Sequence, residues 1–461
     1  MGQRNDSPTE PASAETVLMW LRFFALFVGA GFLSAVIFHT LYPRLLQVGF
    51  PWDTYLFDPA DRFNDWHNSV REARSMDPYY KYYTAYLPFS YIAFLSAARL
   101  SALNRTLLYL SVSIFLLAIA ACCFWKVQLA NMLKNESELR RIYAPVLLAL
   151  VIVLCYPLHF GLDRGNIDTW ICALCILYVV LLNTRYAGVG SFALGVAIAF
   201  KGYPVALCLL ALPIRRYFQA LLPAVVGLVL TIYAFSFLNG GYHRNVAGLR
   251  MGMQAFRAQH VLGLLGTRYS ADPYDAIRIV TLKWWHVMPG QALLTVYSLL
   301  SAGFALLCVY FTLFVPAKRW RRVMAVCLVA IIFPDVAADY KLLMLLPGLL
   351  CFIAEAKVSG RNSVVAFCLG GLLIPKNYYQ FFMSYAWFRV SVGSLISPVL
   401  LIGLACAVLA DRRAWEAAFR QTPARIAWFL SPWLPGLVGD PARRRPELAN
   451  VYAESLGLEP L

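Results

Sequence analysis

Charged side chains are scarce in this sequence. Asp, Glu, Lys and Arg together make up 14% of its 461 residues, whereas soluble domains usually carry about 25%. Hydrophobic residues make up 60%, and the formal net charge is +16. Because the basic residues are dispersed between long apolar runs, these proportions exclude a soluble nucleic-acid-binding protein, a disordered chain and a disulfide-rich secreted module. They predict an all-α, polytopic membrane protein.

The sequence also lacks the motifs that bind nucleotides or metals in many soluble enzymes. It contains no Walker P-loop, no H-E-x-x-H, no G-x-S-x-G and no G-x-G-x-x-G after a strand. It has no D-x-D pair of the kind that holds the metal of a nucleotide sugar. An enzyme built on this chain would therefore use no soluble nucleotide-sugar, and we expect neither a metal nor another cofactor.

Apolar runs predict the membrane-crossing segments, because a single span needs about 20 apolar residues. The long runs are 17–42, 106–125, 143–160, 168–183, 219–238, 290–315, 341–355 and 391–410. Shorter runs are 189–201, 203–214, 323–334 and 363–375. Because short runs are ambiguous, we expect about 10–13 transmembrane helices, some of them short or broken.

Lys and Arg in the short loops predict the orientation of the chain. Twelve crossings place every basic cluster on the cytoplasmic side, provided that 84–100 does not cross. We then expect a protein of the bacterial plasma (inner) membrane that has both termini in the cytoplasm. The predicted parts are a tail (1–16), a transmembrane domain (17–410) with extracytoplasmic loops 44–105 and 239–288, and a second tail (411–461) that begins with a short amphipathic helix near Trp415, Phe419 and Trp428.

The first outer loop is rich in carboxylates and aromatic residues. Asp58, Asp61 and Asp65 are candidate general bases there. Asp65 is favoured because aromatic residues flank it, and an apolar setting raises the pKa of a carboxyl toward the working range of a base. Trp66 and His67 follow as candidate substrate-binding or supporting residues. Each carboxylate taken alone is also explained as a residue that keeps the loop solvated.

Lone cations occur in short outer connections, where the charge rule disfavours them. They include Arg164, Lys201 and Lys341. Arg164 is followed by Asn166 and Asp168, either of which can cap the helix that begins there and leave its free N–H groups facing an anion. An ordinary capped helix start and snorkelling lysines would explain these residues singly. Together the cations fit a site that neutralises a phosphate.

These motifs, in this order, resemble the GT-C superfamily of integral-membrane glycosyltransferases. The resemblance rests on R-G-N-x-D (164–168), K-G-Y-P (201–204) and D-Y-K-L (339–342) after an acidic, aromatic first loop. It is closest to the family 87 polyprenyl-phosphate-mannose-dependent alpha-mannosyltransferase-like proteins and covers roughly 17–410. It implies a polyprenyl-phosphate sugar donor, transfer on the outer face with inversion at the anomeric carbon, and an Asp of the first loop as general base.

The resemblance also implies a role for individual residues. Asp65 matches the base, although the chain departs from the usual D-x-x-V-Y there, so Asp58 and Asp61 stay alternatives. Arg164, Lys201 and Lys341 match residues that bind the donor phosphate. The implied supporting residues are Trp66, His67, Asn166, Asp168, Tyr203 and Tyr340. The expected partners are the donor, a lipid or glycan acceptor and membrane lipid, without nucleic acid or nucleotide-sugar.

Two other functions remain open from the sequence. Broken helices and charges near the membrane also suit a transporter or a flippase of lipid-linked sugar. An O-antigen-type glycan polymerase or ligase would use a lipid-linked oligosaccharide instead. The charged residues gather toward one face rather than at mid-membrane, and no internal repeat is visible. These features favour a hexosyltransferase.

Overall fold

The protein is a multi-pass, all-α membrane protein, as its composition predicts. The computed structural model describes residues 12–46, 62–287, 289–333, 337–378, 380–382 and 389–430. Within these ranges the chain forms helices α1 to α18, and the strands are β1 (Gln380–Phe382) and β2 (Arg389–Ser391). The two strands pair antiparallel, with Gln380 opposite Ser391.

Four helices are each long and apolar enough to cross a membrane alone. They are α1 (Ala14–Leu46), α5 (Ala102–Phe124), α10 (Tyr217–Phe237) and α13 (Gln291–Phe314). Only 22% to 33% of their most apolar stretches is buried within the protein. Large apolar side chains on their outer faces therefore have lipid as their natural surroundings.

One predicted span is broken. The run 143–160 divides into α6 (Glu138–Val153) and α7 (Tyr156–Arg164), which are bent by 52°. Pro157 lies in the first turn of α7, and a proline there cannot donate to the carbonyl of the preceding helix. The apolar character continues across the break, which is why composition alone predicts one helix. Arg164 is the last residue of α7, and 17% of its side chain is exposed.

A second bent pair connects the membrane domain to the C-terminal tail. Helix α17 (Gly393–Leu409) is followed by α18 (Arg412–Leu430) after a bend of 61°. Trp415 and Phe419 of α18 stack on Tyr310 of α13. The predicted amphipathic helix at the start of the tail is thereby confirmed. If each bent pair is one span, up to six spans meet the length and hydropathy criteria, and the total number of crossings stays a prediction.

Shorter apolar helices form the centre of the protein. They are α8 (Asp168–Leu181), α9 (Ala187–Phe200), α14 (Arg319–Ile332), α15 (Leu346–Glu355) and α16 (Gly360–Leu373). All 14 residues of α8 are buried. Such helices need not match the bilayer thickness, because protein rather than lipid surrounds them.

One predicted short run, 203–214, and the start of one predicted long run, 341–355, contain 3₁₀ turns rather than α-helix. Tyr203–Ala211 follows α9, and Asp339–Leu345 precedes α15. The predicted span 341–355 is therefore a 3₁₀ segment joined to a short helix. Both 3₁₀ segments begin beside residues that the sequence analysis singles out, namely Lys201 and Tyr340.

The two long loops that are predicted to face outward fold into short helices, most of which pack on each other. They are α2 (Asn64–Ala73), α3 (Pro78–Tyr82), α4 (Pro88–Ala97), α11 (Gly241–Phe256) and α12 (Pro273–Trp285). Helix α11 lies against the α3 region through Gly248 and Gly252, where an added Cβ would meet Tyr79 or the Thr84 carbonyl. Arg244 also pairs with Asp77 at 2.8 Å. The two loops therefore form one layer, which we call the outer layer because both loops are predicted to face outward.

Helix α4 agrees in length with the expectation that 84–100 does not cross. Its 10 residues rise by about 15 Å at 1.5 Å per residue. The hydrocarbon core of a bilayer is about 30 Å thick. Helix α4 packs instead against α2, α9 and α10 and helps to hold the outer layer on the membrane domain.

Candidate functional site

Four charged side chains meet where α2, the turn between α7 and α8, and the end of α9 come together. Arg164 Nη2 donates to Asp65 Oδ1 at 2.7 Å, and Lys201 Nζ donates to Asp168 Oδ2 at 2.9 Å. We call these four residues, with Asn166, the charge cluster. The carboxyl group of Asp168 is buried, whereas the side chains of Asp65, Arg164 and Lys201 each retain a small exposed fraction.

Asn166 joins the two ion pairs. Its amide nitrogen donates to Asp65 Oδ2 at 3.0 Å, and its amide oxygen accepts from Lys201 Nζ at 3.3 Å. The same oxygen accepts the backbone N–H of Asp168 at 3.1 Å. Tyr203 completes the arrangement by donating its hydroxyl to Asp168 Oδ1 at 2.7 Å. The formal charges of the charge cluster cancel, with two carboxylates facing two cations.

Helix α2 is held in place by Trp66. This side chain is completely buried, and its indole nitrogen donates to the Arg105 carbonyl at 3.1 Å. Its ring packs against Tyr109 and Trp170. Trp66 therefore supports the helix that carries Asp65 and has no free face for a substrate. His67 lies on another side of α2, where its Nε2 is 3.4 Å from Thr106 Oγ1.

The turn between α7 and α8 is fixed by hydrogen bonds and by a glycine. Tyr109 donates its hydroxyl to the carbonyls of Gly161 and Asn166 at 3.2 and 2.9 Å. Gly165 ends α7 with φ of +69°, in the left-handed region. A Cβ at this position would lie 2.6 Å from Trp66 Cβ. Glycine thus permits both the turn and the close approach of α2.

Replacing Gly165 by alanine is expected to destabilise the protein. The left-handed conformation costs a residue with a side chain about 1–2 kcal/mol, and the new methyl group would push against Trp66. We expect a lower midpoint of thermal unfolding in detergent. Gly202→Ala is the matched control, because Gly202 adjoins Lys201, has φ of −65° and has open space around its Cα. An unchanged midpoint for Gly165→Ala would contradict this account of the turn.

Lys201 is held between two aromatic rings. Its Nζ lies 5.2 Å from the centre of the Tyr86 ring and 5.6 Å from that of Tyr340. Tyr340 in turn stacks on Phe160. Tyr340 is a predicted supporting residue, whereas Tyr86 is not predicted from the sequence. Tyr86 belongs to a tyrosine-rich stretch, and nothing in the sequence distinguishes it from the neighbouring tyrosines.

Lys341 lies beside a different carboxylate. Burial and the nearby charge of Asp275 together raise the pKa of Asp272 to about 8, and the positive charge of Lys341 opposes this rise. Asp272 precedes α12 and accepts the backbone N–H of Tyr274. The ion pairs of the charge cluster are made by Arg164 and Lys201. The role of Lys341 at a donor phosphate therefore stays a prediction.

The first turn of α8 does not offer free N–H groups to an anion, so that expectation is wrong. The N–H of Asp168 bonds to Asn166 Oδ1, and those of Trp170 and Ile171 bond to the Ile167 carbonyl. Asn166 does cap this end of the helix, as the sequence suggests. The positive charge of the site is supplied by side chains instead.

The other candidate bases, Asp58 and Asp61, lie outside the described residues. In the part of the chain that the structure covers, no three His, Cys, Asp or Glu side chains converge as metal ligands. The expectation of a metal-independent protein stays a prediction.

Comparisons of this chain with protein-family models, with curated proteins and with solved structures find no match. The chemistry of the site is therefore inferred from its geometry. Burial raises the pKa of Asp65 to about 6, while the hydrogen bond from Asn166 and the charge of Lys201 lower it. The charge cluster therefore combines a carboxylate that can accept a proton with fixed cations that can stabilise an anion.

Proposed function

We propose that this protein is a membrane glycosyltransferase of the GT-C type. It moves a hexose, mannose favoured, from a polyprenyl-phosphate-linked donor to a hydroxyl of a lipid or glycan acceptor. The observation that carries the proposal is the 2.7 Å contact between Asp65 and Arg164. This contact brings a proton acceptor and a phosphate-binding cation together in one partly exposed site.

The proposed reaction uses both members of this pair. Asp65 takes the proton of the acceptor hydroxyl, whose oxygen forms a bond to the anomeric carbon with inversion. The bond from that carbon to the phosphate oxygen breaks, and polyprenyl phosphate leaves with one additional negative charge. Negative charge thus passes from Asp65 to the phosphate, and Arg164 can stabilise it in both places. Lys201 supplies a second cation.

The distribution of charge favours catalysis on the extracytoplasmic face. Helix α8 begins in the charge cluster at Asp168 and is 14 residues long, so its far end is about 21 Å away. At that far end Arg216 donates to the Leu182 carbonyl. Basic residues concentrate on the cytoplasmic side of membrane proteins. We therefore assign the charge cluster to the outer side of a bacterial inner membrane, with both termini inside.

The rate is expected to depend on pH through Asp65. Only the ionised carboxylate can accept a proton, so kcat/KM should fall about tenfold per pH unit below the pKa of about 6 and level off above it. Asn166→Ala removes a hydrogen bond that lowers this pKa, so it should move the inflection to higher pH. Asn68→Ala, on the same helix as Asp65, is the matched control. A wild-type profile without this inflection would contradict the assignment of Asp65.

The direct test is to incubate purified protein in detergent with a panel of polyprenyl-phosphate hexoses and acceptors. Formation of a new glycosidic bond supports the proposal. Detergent removes the compartments that a transporter or flippase needs, so movement across vesicles without bond formation would indicate one of those functions. A polymerase or ligase would instead extend or transfer a lipid-linked oligosaccharide. Absence of transfer from every monosaccharide donor in the panel would contradict the proposal.

A further inference from the structure

Helix α18 packs against the end of a helix that is long and apolar enough to cross the membrane. Tyr310, near the end of α13, stacks on Trp415, with 5.7 Å between the ring centres and only 4° between the ring planes. The hydroxyl groups of Tyr310 and Thr422 are hydrogen-bonded at 2.7 Å. Because the end of a spanning helix marks a membrane surface, these contacts hold α18 beside that surface.

Buried charge fixes the bend that precedes α18. Arg321 of α14 is only 3% exposed, and it donates to Asp411 Oδ2 and to the Val408 carbonyl, both at 2.8 Å. Asp411 Oδ1 accepts the backbone N–H of Ala414 at 3.1 Å and so caps the new helix. Helix α18 therefore leaves the membrane domain in a fixed direction.

The exposed face of α18 carries two stripes of different character. Arg413 and Arg420 are exposed and seven residues apart, which is about two helical turns and places them on one side. Phe419 and Ile426 have the same spacing, and they are 63% and 44% exposed. Consecutive residues of a helix are rotated by about 100°. The basic stripe and the apolar stripe therefore adjoin.

Positive charge exceeds negative charge along α18. The helix contains four arginines and one glutamate, Glu416. Glu416 Oε1 accepts from Arg412 at 2.7 Å, so this acid is engaged within the helix itself. Asp411, at the bend, is engaged by Arg321 and Arg361. A basic surface next to exposed apolar side chains is typical of a helix that lies in the membrane interface.

We propose that α18 binds anionic lipid of the adjacent membrane surface. Arg413 and Arg420 contact lipid phosphates, while Phe419 and Ile426 enter the region where the acyl chains begin. Negative head groups attract basic residues that lie close to the bilayer. An acidic segment of a soluble protein would match the arginines but not the apolar stripe. The inference requires only that the chain is a membrane protein, so it does not depend on the proposed function.

The test uses the full-length protein in neutral detergent and native mass spectrometry, with parallel titrations of phosphatidylglycerol and phosphatidylcholine. The wild type is expected to bind phosphatidylglycerol more tightly. The double variant Arg413→Gln/Arg420→Gln should bind phosphatidylglycerol about tenfold more weakly and phosphatidylcholine nearly as before. The matched control is Arg250→Gln/Arg257→Gln. These two arginines are also exposed and seven residues apart, but they lie on α11 and directly after it.

A further variant, Ile426→Ser, tests the apolar stripe. It removes apolar contact without changing charge, so it should weaken the binding of both lipids about threefold and leave the preference for phosphatidylglycerol intact. Thermal unfolding verifies that each variant stays folded. If Ile426→Ser bound both lipids as the wild type does, the surface would act through charge alone and α18 would not be an interfacial helix.

Three other results would overturn the proposal. Unchanged phosphatidylglycerol binding by Arg413→Gln/Arg420→Gln would place the lipid elsewhere. An equal loss in Arg250→Gln/Arg257→Gln would mean that binding follows the net charge of the protein rather than α18. Hexaglutamate that binds the wild type as tightly as phosphatidylglycerol and displaces it would make this surface a site for an acidic protein.

Discussion

Replacing Asp65 by asparagine is expected to lower the rate of sugar transfer about 10²- to 10⁴-fold, the usual contribution of a general base. Asparagine has nearly the same shape, and its amide oxygen can still accept from Arg164. It cannot take the proton of the acceptor hydroxyl at neutral pH. Single-turnover measurements with bound donor and saturating acceptor would isolate this step from product release.

The same variant is expected to bind the donor at least as tightly as the wild type. In the wild-type protein, Asp65 competes with the donor phosphate for Arg164, to which it is bonded at 2.7 Å. Removing its charge weakens this competition, so transfer and donor binding should change in opposite directions. A variant that merely unfolds would lose both.

Two controls make the assignment specific. Asp77→Asn alters another carboxylate of the outer layer, which forms a partly exposed pair with Arg244 and should affect the rate little. Asp58→Asn and Asp61→Asn test the alternative bases. Wild-type turnover by Asp65→Asn would remove Asp65 from the role, and loss of activity in Asp58→Asn alone would transfer that role to Asp58.

The second large effect is expected at Arg164. Arg164→Gln should lower kcat about 10²- to 10³-fold, equivalent to about 2.7–4 kcal/mol of transition-state stabilisation. The reason is that the leaving phosphate gains negative charge where a fixed cation no longer faces it. Arg164→Lys should recover part of this loss, because lysine keeps the charge but lacks the paired donors of arginine.

The pH profile separates a role in chemistry from a structural role. Removing the positive charge of Arg164 should raise the pKa of Asp65, so the inflection in kcat/KM should move to higher pH. Arg62→Gln is the matched control, since Arg62 pairs with Asp163 at 3.6 Å and 40% of its side chain is exposed. If Arg164→Gln and Arg62→Gln had equally small effects on the rate, Arg164 would have no part in stabilising the phosphate.

Local patterns in the sequence predict much of the fold. Uninterrupted apolar runs identify α1, α5, α10 and α13, because each of these helices coincides to within a few residues with a single run of suitable length. The break before α7 is not evident from the sequence, because hydropathy reports the length and composition of an apolar run but not the direction of the helix axis along it. The 3₁₀ segment after Lys201 is also hidden, because its residues are as apolar as those of a helix.

The charge cluster is only partly predictable for a similar reason. Arg164, Asn166 and Asp168 are near neighbours in sequence, so their proximity follows from one turn. Asp65 is 99 residues away from Arg164 in the sequence. The resemblance to a known family, rather than their spacing, predicts that the two residues lie in one site. Their contact depends on how closely α2 approaches Gly165, which is a property of packed side chains. The same dependence explains why the sequence does not predict the contact between Tyr86 and Lys201.

The cancellation of charge in the charge cluster has a kinetic consequence. Without a donor, Arg164 is bonded to the carboxylate of Asp65, which has to accept the proton. An acceptor that binds before the donor therefore cannot pass its proton to Asp65 efficiently. A phosphate that draws Arg164 toward itself would relieve this inhibition. We expect a compulsory order in which the donor binds first, and intersecting initial-velocity plots with competitive inhibition by free polyprenyl phosphate against the donor alone would reveal it. In such an order the base becomes competent only in the enzyme that already holds the donor.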